Sequence, residues 1–212
     1  MKLTKREHAC QVIEKTDGTL IIDPGSFTLP LDDITGVVAI VITHEHADHW
    51  STEHLERIRQ KNPDARILGP AGVAAAATDH PIEVVAPGDT VEVGPFTLRF
   101  FGGKHALIHQ SIPIVDNVGV LVDDQLYYAG DSYAIPEGVT VEVLAAPLGA
   151  PWLKVGEAMD YVVAIGARRV YPVHDMTLST IGKNMSHTRL EWAAAQGGGE
   201  YSPLEPGDSL DL

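Results

Sequence analysis

The stretch Thr43-His44-Glu45-His46-Ala47-Asp48-His49, directly behind the apolar run Val37-Val38-Ala39-Ile40-Val41-Ile42, decides how the rest of this chain is read. A short continuous apolar run is the pattern of a buried strand. At the extended end of such a strand, side chains two apart share a face, so His44 and His46 can reach one ion together. If a helix starts at Asp48, then Asp48 and His49 leave its first turn toward a neighbouring point, which suits a second ion beside the first. A merely solvated turn has no need of such ligand density.

Other segments supply acids and imidazoles at strand ends. Ala9 to Glu14 and Thr19 to Ile22 read as a hairpin across Asp17-Gly18 that opens the chain, and Asp23-Pro24-Gly25 turns it afterwards. Val115 to Val122 and Gln125 to Ala129 read as a second hairpin across Asp123-Asp124, with Gly130-Asp131-Ser132 behind it. A carboxylate at Asp131 can bridge two ions with its two oxygens, which an imidazole cannot do. Gly102-Gly103-Lys104-His105 leaves another strand, with His109 as a competing ligand four residues on, and Arg169 to Val173 runs as a strand into His174.

These stretches together resemble the metallo-β-lactamase superfamily. His44-Glu45-His46-Ala47-Asp48-His49 is similar to its His-x-His-x-Asp-His signature. Ile21 to Gly25, Gly102 to His105, Tyr128 to Ser132 and Tyr171 to Asp175 fall in the order of its other motifs. The resemblance implies one α/β domain over residues 1–212, an αββα four-layer sandwich of two mixed sheets with helices on the outer faces. It implies His44, His46 and His105 on one ion, Asp48, His49 and His174 on a second, and Asp131 between them. Asp23 would sit behind the ligands and fix an imidazole tautomer. His8, in Glu7-His8-Ala9, is similar to the Gly-His-Ser/Ala stretch of the subgroup like ascorbate-6-phosphate lactonases, with Glu7 in place of the glycine, and would stand near the metals.

The chemistry expected of such a site is hydrolysis. Two cations lower the pKa of a shared water toward neutrality, giving a bridging hydroxide that attacks an ester, lactone or phosphoester, while Asp48 can pass a proton to the leaving group. Nitrogen-rich ligands point to zinc, and manganese or iron also fit imidazole with carboxylate. The same fold hosts iron oxidoreductases, the alternative reading; a metal-stabilised binding module without turnover is a third. A small, anionic substrate is the expectation, met by Lys104 beside His105 and by Lys183, Asn184 and His187 in a loop from Ser179 to His187 ahead of a helix over Thr188 to Gln196.

Composition narrows the partners. Against 29 acidic residues stand 15 basic ones, a formal charge of −14, which argues against nucleic acid. With one cysteine, Cys10, there is no intrachain disulfide. The start Met1 to His8 offers no signal-peptide core and no run is long enough for a bilayer, so a cytoplasmic protein is expected, its oligomeric state open. His54 and His80 read as surface histidines. Pro87-Gly88-Asp89-Thr90-Val91-Glu92-Val93 and Pro206-Gly207-Asp208-Ser209-Leu210-Asp211-Leu212 match in residue type at every position, the mark of two related β-halves.

Overall fold

The computed structural model describes residues 1–212. The first half of the chain contributes strands β1 (Lys2–Lys5), β2 (Gln11–Lys15), β3 (Gly18–Ile22), β4 (Val37–Val41), β5 (Arg66–Gly69), β6 (Ile82–Val84) and β7 (Thr90–Val93), with helices α1 (Thr52–Lys61) and α2 (Ala71–Ala76). The second half contributes β8 (Phe96–Lys104), β9 (Asp116–Val122), β10 (Leu126–Tyr128), β11 (Val143–Pro147), β12 (Arg169–Val173), β13 (Glu200–Tyr201) and β14 (Ser209–Asp211), with α3 (Val155–Ile165) and α4 (Thr180–Gln196). One sheet runs β14-β1-β2-β3-β4-β5-β6 and the other β13-β12-β11-β10-β9-β8-β7, seven strands each.

Alternation along the strands builds three apolar layers, because successive side chains point to opposite faces. Leu20, Ile22, Ala39 and Val41 of one sheet meet Val118, Val120, Leu126, Tyr128, Val143 and Val173 of the other in the central layer. Their neighbours Ile21, Ile40 and Ile67 face outward against Leu55 and Ile58 of α1 and Val73 of α2. On the far side Tyr127, Leu144 and Val170 pack under Ala158 and Val162 of α3 and Leu190, Ala193 and Ala194 of α4. The result is the αββα four-layer sandwich. No helix is long and apolar enough to cross a membrane.

Both sheets are mixed and they are built alike. In each, the first three strands of its half pair antiparallel and the next three follow in parallel. The last strand of each half crosses over: β7 pairs with β8 in the second sheet, and β14 with β1 in the first. The matching Pro-Gly-Asp turns ahead of these two strands share their backbone. Gly88 and Gly207 lie at φ 96° and 97°. Asp89 accepts from the Ala86 N–H at 2.8 Å and Asp208 from the Glu205 N–H at 2.9 Å.

Three local expectations are corrected. The chain does not open on the Ala9 to Glu14 hairpin, since β1 precedes it; the inward position Lys5 is fully buried and breaks the apolar alternation by which a strand is recognised. Asp48 does not start a helix: α1 begins at Thr52, capped by the Ser51 side chain, and Asp48-His49 lie in a turn closed by the His49 N–H on the His46 carbonyl at 3.0 Å. Residues 180–187 are not loop but the first half of α4, capped where Ser179 Oγ accepts from the Gly182 N–H at 3.2 Å. Gly182, Asn184 and Ser186 are weak helix formers, and the apolar Ile181 and Met185 are exposed, so no buried periodicity advertised this half of the helix.

Candidate metal centre

The centre lies where strand ends of both sheets meet. β4 leads into His44, His46, Asp48 and His49; β8 ends one residue before His105; β10 leads to Asp131 and β12 to His174. The structure gathers these seven with His8 into three overlapping sets of potential ligand atoms: His44, His46 and His105; His8, Asp48, His49 and His174; and His44, His49 and Asp131. Within each set the atoms lie within 4.8 Å of one another. His109 is not among them; it is exposed and bonded to Ser111.

The turns that aim these groups are tight. Gly130 sits at φ 64°, and a Cβ there would meet Asn117 Oδ1 at 2.3 Å. Asn117 Oδ1 accepts from the Asp131 N–H at 3.0 Å, while its amide donates to the Ala129 carbonyl at 2.8 Å, so one buried side chain clamps the turn that carries the acid. On the other side Gly25 lets the Asp-Pro-Gly turn touch the ligand loop, where a Cβ would fall 1.8 Å from the Asp48 carbonyl oxygen. His8, Asp23 and His174 themselves hold left-handed φ values of 60°, 48° and 58°, which non-glycine residues adopt at a cost of about 1 kcal/mol or more.

Four imidazoles have one nitrogen anchored and the other aimed inward. His49 Nδ1 donates to Asp23 Oδ2 at 2.7 Å. Asp23 in turn accepts from the Thr43 N–H and hydroxyl at 2.8 and 2.7 Å. Because that hydroxyl hydrogen is spent on Asp23, its oxygen accepts from His44 Nδ1 at 3.1 Å. His105 Nδ1 donates to the Ala106 carbonyl at 2.5 Å, and His174 Nδ1 to the Gly149 carbonyl at 2.7 Å. The opposite nitrogens, Nε2 of His49, His105 and His174, are buried without a hydrogen-bond partner, as is Asp131 Oδ1. They lie 3.1 to 3.5 Å from the Asp131 carboxylate, close but unaligned for bonding. Orphaned buried lone pairs are costly unless something fills the space between them, and a divalent cation fits this donor set. His44 Nε2 and His46 Nδ1 lie 3.1 Å apart, near the roughly 3.3 Å expected of two nitrogens on one tetrahedral zinc.

Charge is divided across the centre. Burial, then the neighbouring His49, pushes His44 well below the usual histidine range, and burial with His105 lowers His46, so both are neutral and ready to ligate. Burial also opposes charge on His49 and His174, but Asp131, with Asp23 beside His49 and Asp48 beside His174, more than reverses it. His49 is raised well above its ordinary value and His174 to about 9. In the metal-free protein protons on this side therefore stand where a cation would neutralise the same acids. A folded pKa raised above the ordinary 6.5 gives stability that is complete below pH 6.5 and is lost as pH rises through about 9. The thermal midpoint of chelator-treated protein is thus expected to fall across that interval, while metal affinity rises as protons cease to compete. A midpoint that climbs from pH 6.5 to 9 contradicts the protonated His174.

His8 is fully buried, with Nε2 3.1 Å from Asp48 Oδ2 and its ring centroid 3.9 Å from that of His174. Asp48 is 24 % exposed and, with half-buried His46, forms the open face. The residues expected to greet an anion stand otherwise. Lys104 is paired with Asp116 at 2.7 Å. Lys183 is paired with Asp175 at 2.9 Å and also with Glu205, Asn184 is exposed on α4, and His187 Nδ1 meets the Tyr201 hydroxyl at 2.7 Å. His54 is buried rather than on the surface, bonded to the Thr28 carbonyl at 3.1 Å, because it shares the inner face of α1 with Leu55 and Ile58. Trp152, whose indole donates to Asp131 Oδ2 at 2.8 Å, went unread in the sequence, as did Asn117; a lone Trp after Ala-Pro carries no ligand pattern.

Comparison with known proteins bears on the family and the fold. The family model described as "Beta-lactamase superfamily domain" matches residues 2–174. Protein Rv0786c of Mycobacterium tuberculosis is 36 % identical over 195 residues, covering 90 % of this chain and 91 % of the relative. Igni18, a metallo hydrolase from Ignicoccus hospitalis, superposes with a TM-score of 0.74 at 19 % identity over 99 % of this chain and 97 % of its own. CmlA, a diiron β-hydroxylase from Streptomyces venezuelae, does so with a TM-score of 0.73 at 16 % identity over all of this chain and 54 % of its own.

Proposed function

The chain belongs to the metallo-β-lactamase superfamily, and from that premise we propose that it is a metal-dependent hydrolase holding two divalent ions, cleaving an ester, lactone or phosphoester bond in a small molecule. The observation that supports this reading is the set of anchored imidazoles whose bare nitrogens converge on Asp131. His44, His46 and His105 would hold the first ion and Asp48, His49 and His174 the second, with Asp131 reaching both. Such a pair of ions, when bound, polarises the scissile centre and brings a water to near-neutral pKa. The narrower likeness to ascorbate-6-phosphate lactonases rests on His8 alone.

The residues of this chain have separable tasks. Asp23 orients His49, and the Ala106 and Gly149 carbonyls fix the tautomers of His105 and His174. Asp48, an anion on the open face, is placed to take the proton released by an attacking water and hand it to a departing oxygen, and the His8 N–H holds its carboxylate in position. The buried His8 fills the space beside Asp48 and His174.

Protein purified without added metal, then titrated with zinc, manganese or ferrous iron, is expected to take up two ions per chain, since seven ligand positions exceed what one tetrahedral ion uses. A panel of lactones, esters and phosphodiesters should be turned over only by the loaded form. Uptake that saturates at one ion removes the Asp48, His49 and His174 set as a site. Oxygen consumption by an iron-loaded form that hydrolyses nothing on the panel would favour the oxidoreductase alternative.

A further inference from the structure

A cavity of about 840 Å³ begins at the wall of the centre. Trp152 belongs to both: its indole N–H is bonded to Asp131, its ring lies 5.9 Å from that of His105, and it also lines the cavity. Ala106 and Ser132, the residues directly after His105 and Asp131, line it as well. The remaining walls are mainly apolar, with Leu107, Ile108, Tyr133 and Leu153 prominent. Leu107 is 58 % exposed, and farther along the same loop Ile112 and Ile114 are 42 % and 50 % exposed. A mainly apolar lining with a few polar groups at one end is the usual make-up of a small-molecule pocket.

Each cation at the rim has an acid beside it. Lys104 lies 2.7 Å from Asp116 and Lys154 2.9 Å from Glu157, so the rim carries no excess positive charge. An anionic group entering the cavity finds no surplus cation to draw it in, inside a protein of net charge −14. An uncharged hydrocarbon group needs none.

We infer that the substrate carries an uncharged apolar chain or ring, seated between the 106–108 loop and Trp152-Leu153, with its hydrolysable group at the metal pair. This rests on the hydrolase reading above and deepens it from bond type to substrate class. Straight-chain monocarboxylates, which imitate the acid product of ester cleavage, test it on the metal-loaded protein by calorimetric titration. Affinity is expected to climb about two- to fourfold per methylene from acetate through butanoate and hexanoate to octanoate. Octanedioate, of the same length with a second charge at the far end, should bind at least tenfold more weakly than octanoate. Leu107→Asp should flatten the dependence on chain length; the side chain is exposed, so the substitution leaves the core alone.

Equal affinity for acetate and octanoate would overturn the inference while leaving the metal centre standing. Octanedioate binding as tightly as octanoate would overturn it in favour of an anionic substrate. Loss of all carboxylate binding, with two ions retained, would remove both the apolar seat and the claim that an acid product meets the metals.

Discussion

Asp131→Asn is expected to empty the centre of metal and abolish hydrolysis while leaving the fold intact. The side chain keeps its size but loses the charge that faces His49 Nε2 at 3.3 Å and His174 Nε2 at 3.1 Å. An amide N–H turned toward those nitrogens would occupy the direction a cation needs. Removing a partner one shell out typically costs about 10–100-fold in metal affinity, and a residue reaching both ions should cost more. The backbone turn is held by Asn117 and by Gly130, neither of which is altered, so circular dichroism should match the parent. Elemental analysis after dialysis reads the effect directly. Parent-like metal content and turnover in this variant would show that Asp131 does not join the two ions.

The second large effect lies outside the centre. Lys5 and Asp175 form an ion pair at 3.0 Å with both side chains fully buried, joining β1 to the residue after the candidate ligand His174. Burial alone would raise the Asp175 carboxyl, but Lys5 and Lys183 beside it bring it below its ordinary range, so it remains an anion inside the protein. Its Oδ1 already lacks a hydrogen-bond partner. Lys5→Met takes away the deeper of its two cations and leaves Lys183 at 2.9 Å near the edge. Breaking a buried pair from one side costs about 3–5 kcal/mol, whereas replacing both partners by apolar groups often costs little. Urea unfolding of metal-free Lys5→Met should show that loss, and Lys5→Met with Asp175→Leu should recover part of it. A loss under about 1 kcal/mol, the size of an exposed pair, would mean the pair contributes no more than a surface one.

Legibility followed the local density of the signal. The seven candidate ligands could be read because each follows a strand whose apolar run or alternation is visible, and because imidazoles and acids at those ends have few other uses. The Asp123-Asp124 hairpin was readable too, and both residues take the left-handed φ, 52° and 54°, that a two-residue turn of this kind requires. What stayed hidden acts across long sequence separations. Lys5 disguised its own strand by being an inward-facing lysine whose partner lies 170 residues away. Asn117 and Trp152 reach Asp131 from 14 and 21 residues off. Lys104 and Lys183 looked free because a sequence does not show that Asp116, Asp175 and Glu205 come to meet them.

The crossed-over final strands bear on how the molecule comes into being during synthesis. When the first half has left the ribosome, its sheet still shows β1 as a bare edge, because the strand that covers it, β14, lies at the far end of the second half. Bare edges invite pairing with other chains. β7, already made, must meanwhile wait for β8 before it belongs to any sheet. His44, His46, Asp48 and His49 are likewise finished long before His105, Asp131 and His174 arrive. A nascent chain can thus gather part of the candidate ligand set early, but the full pocket and the closed sheet come together only once the second half has been made. The seven candidate ligands then face one another only in chains whose two halves have each clasped the other.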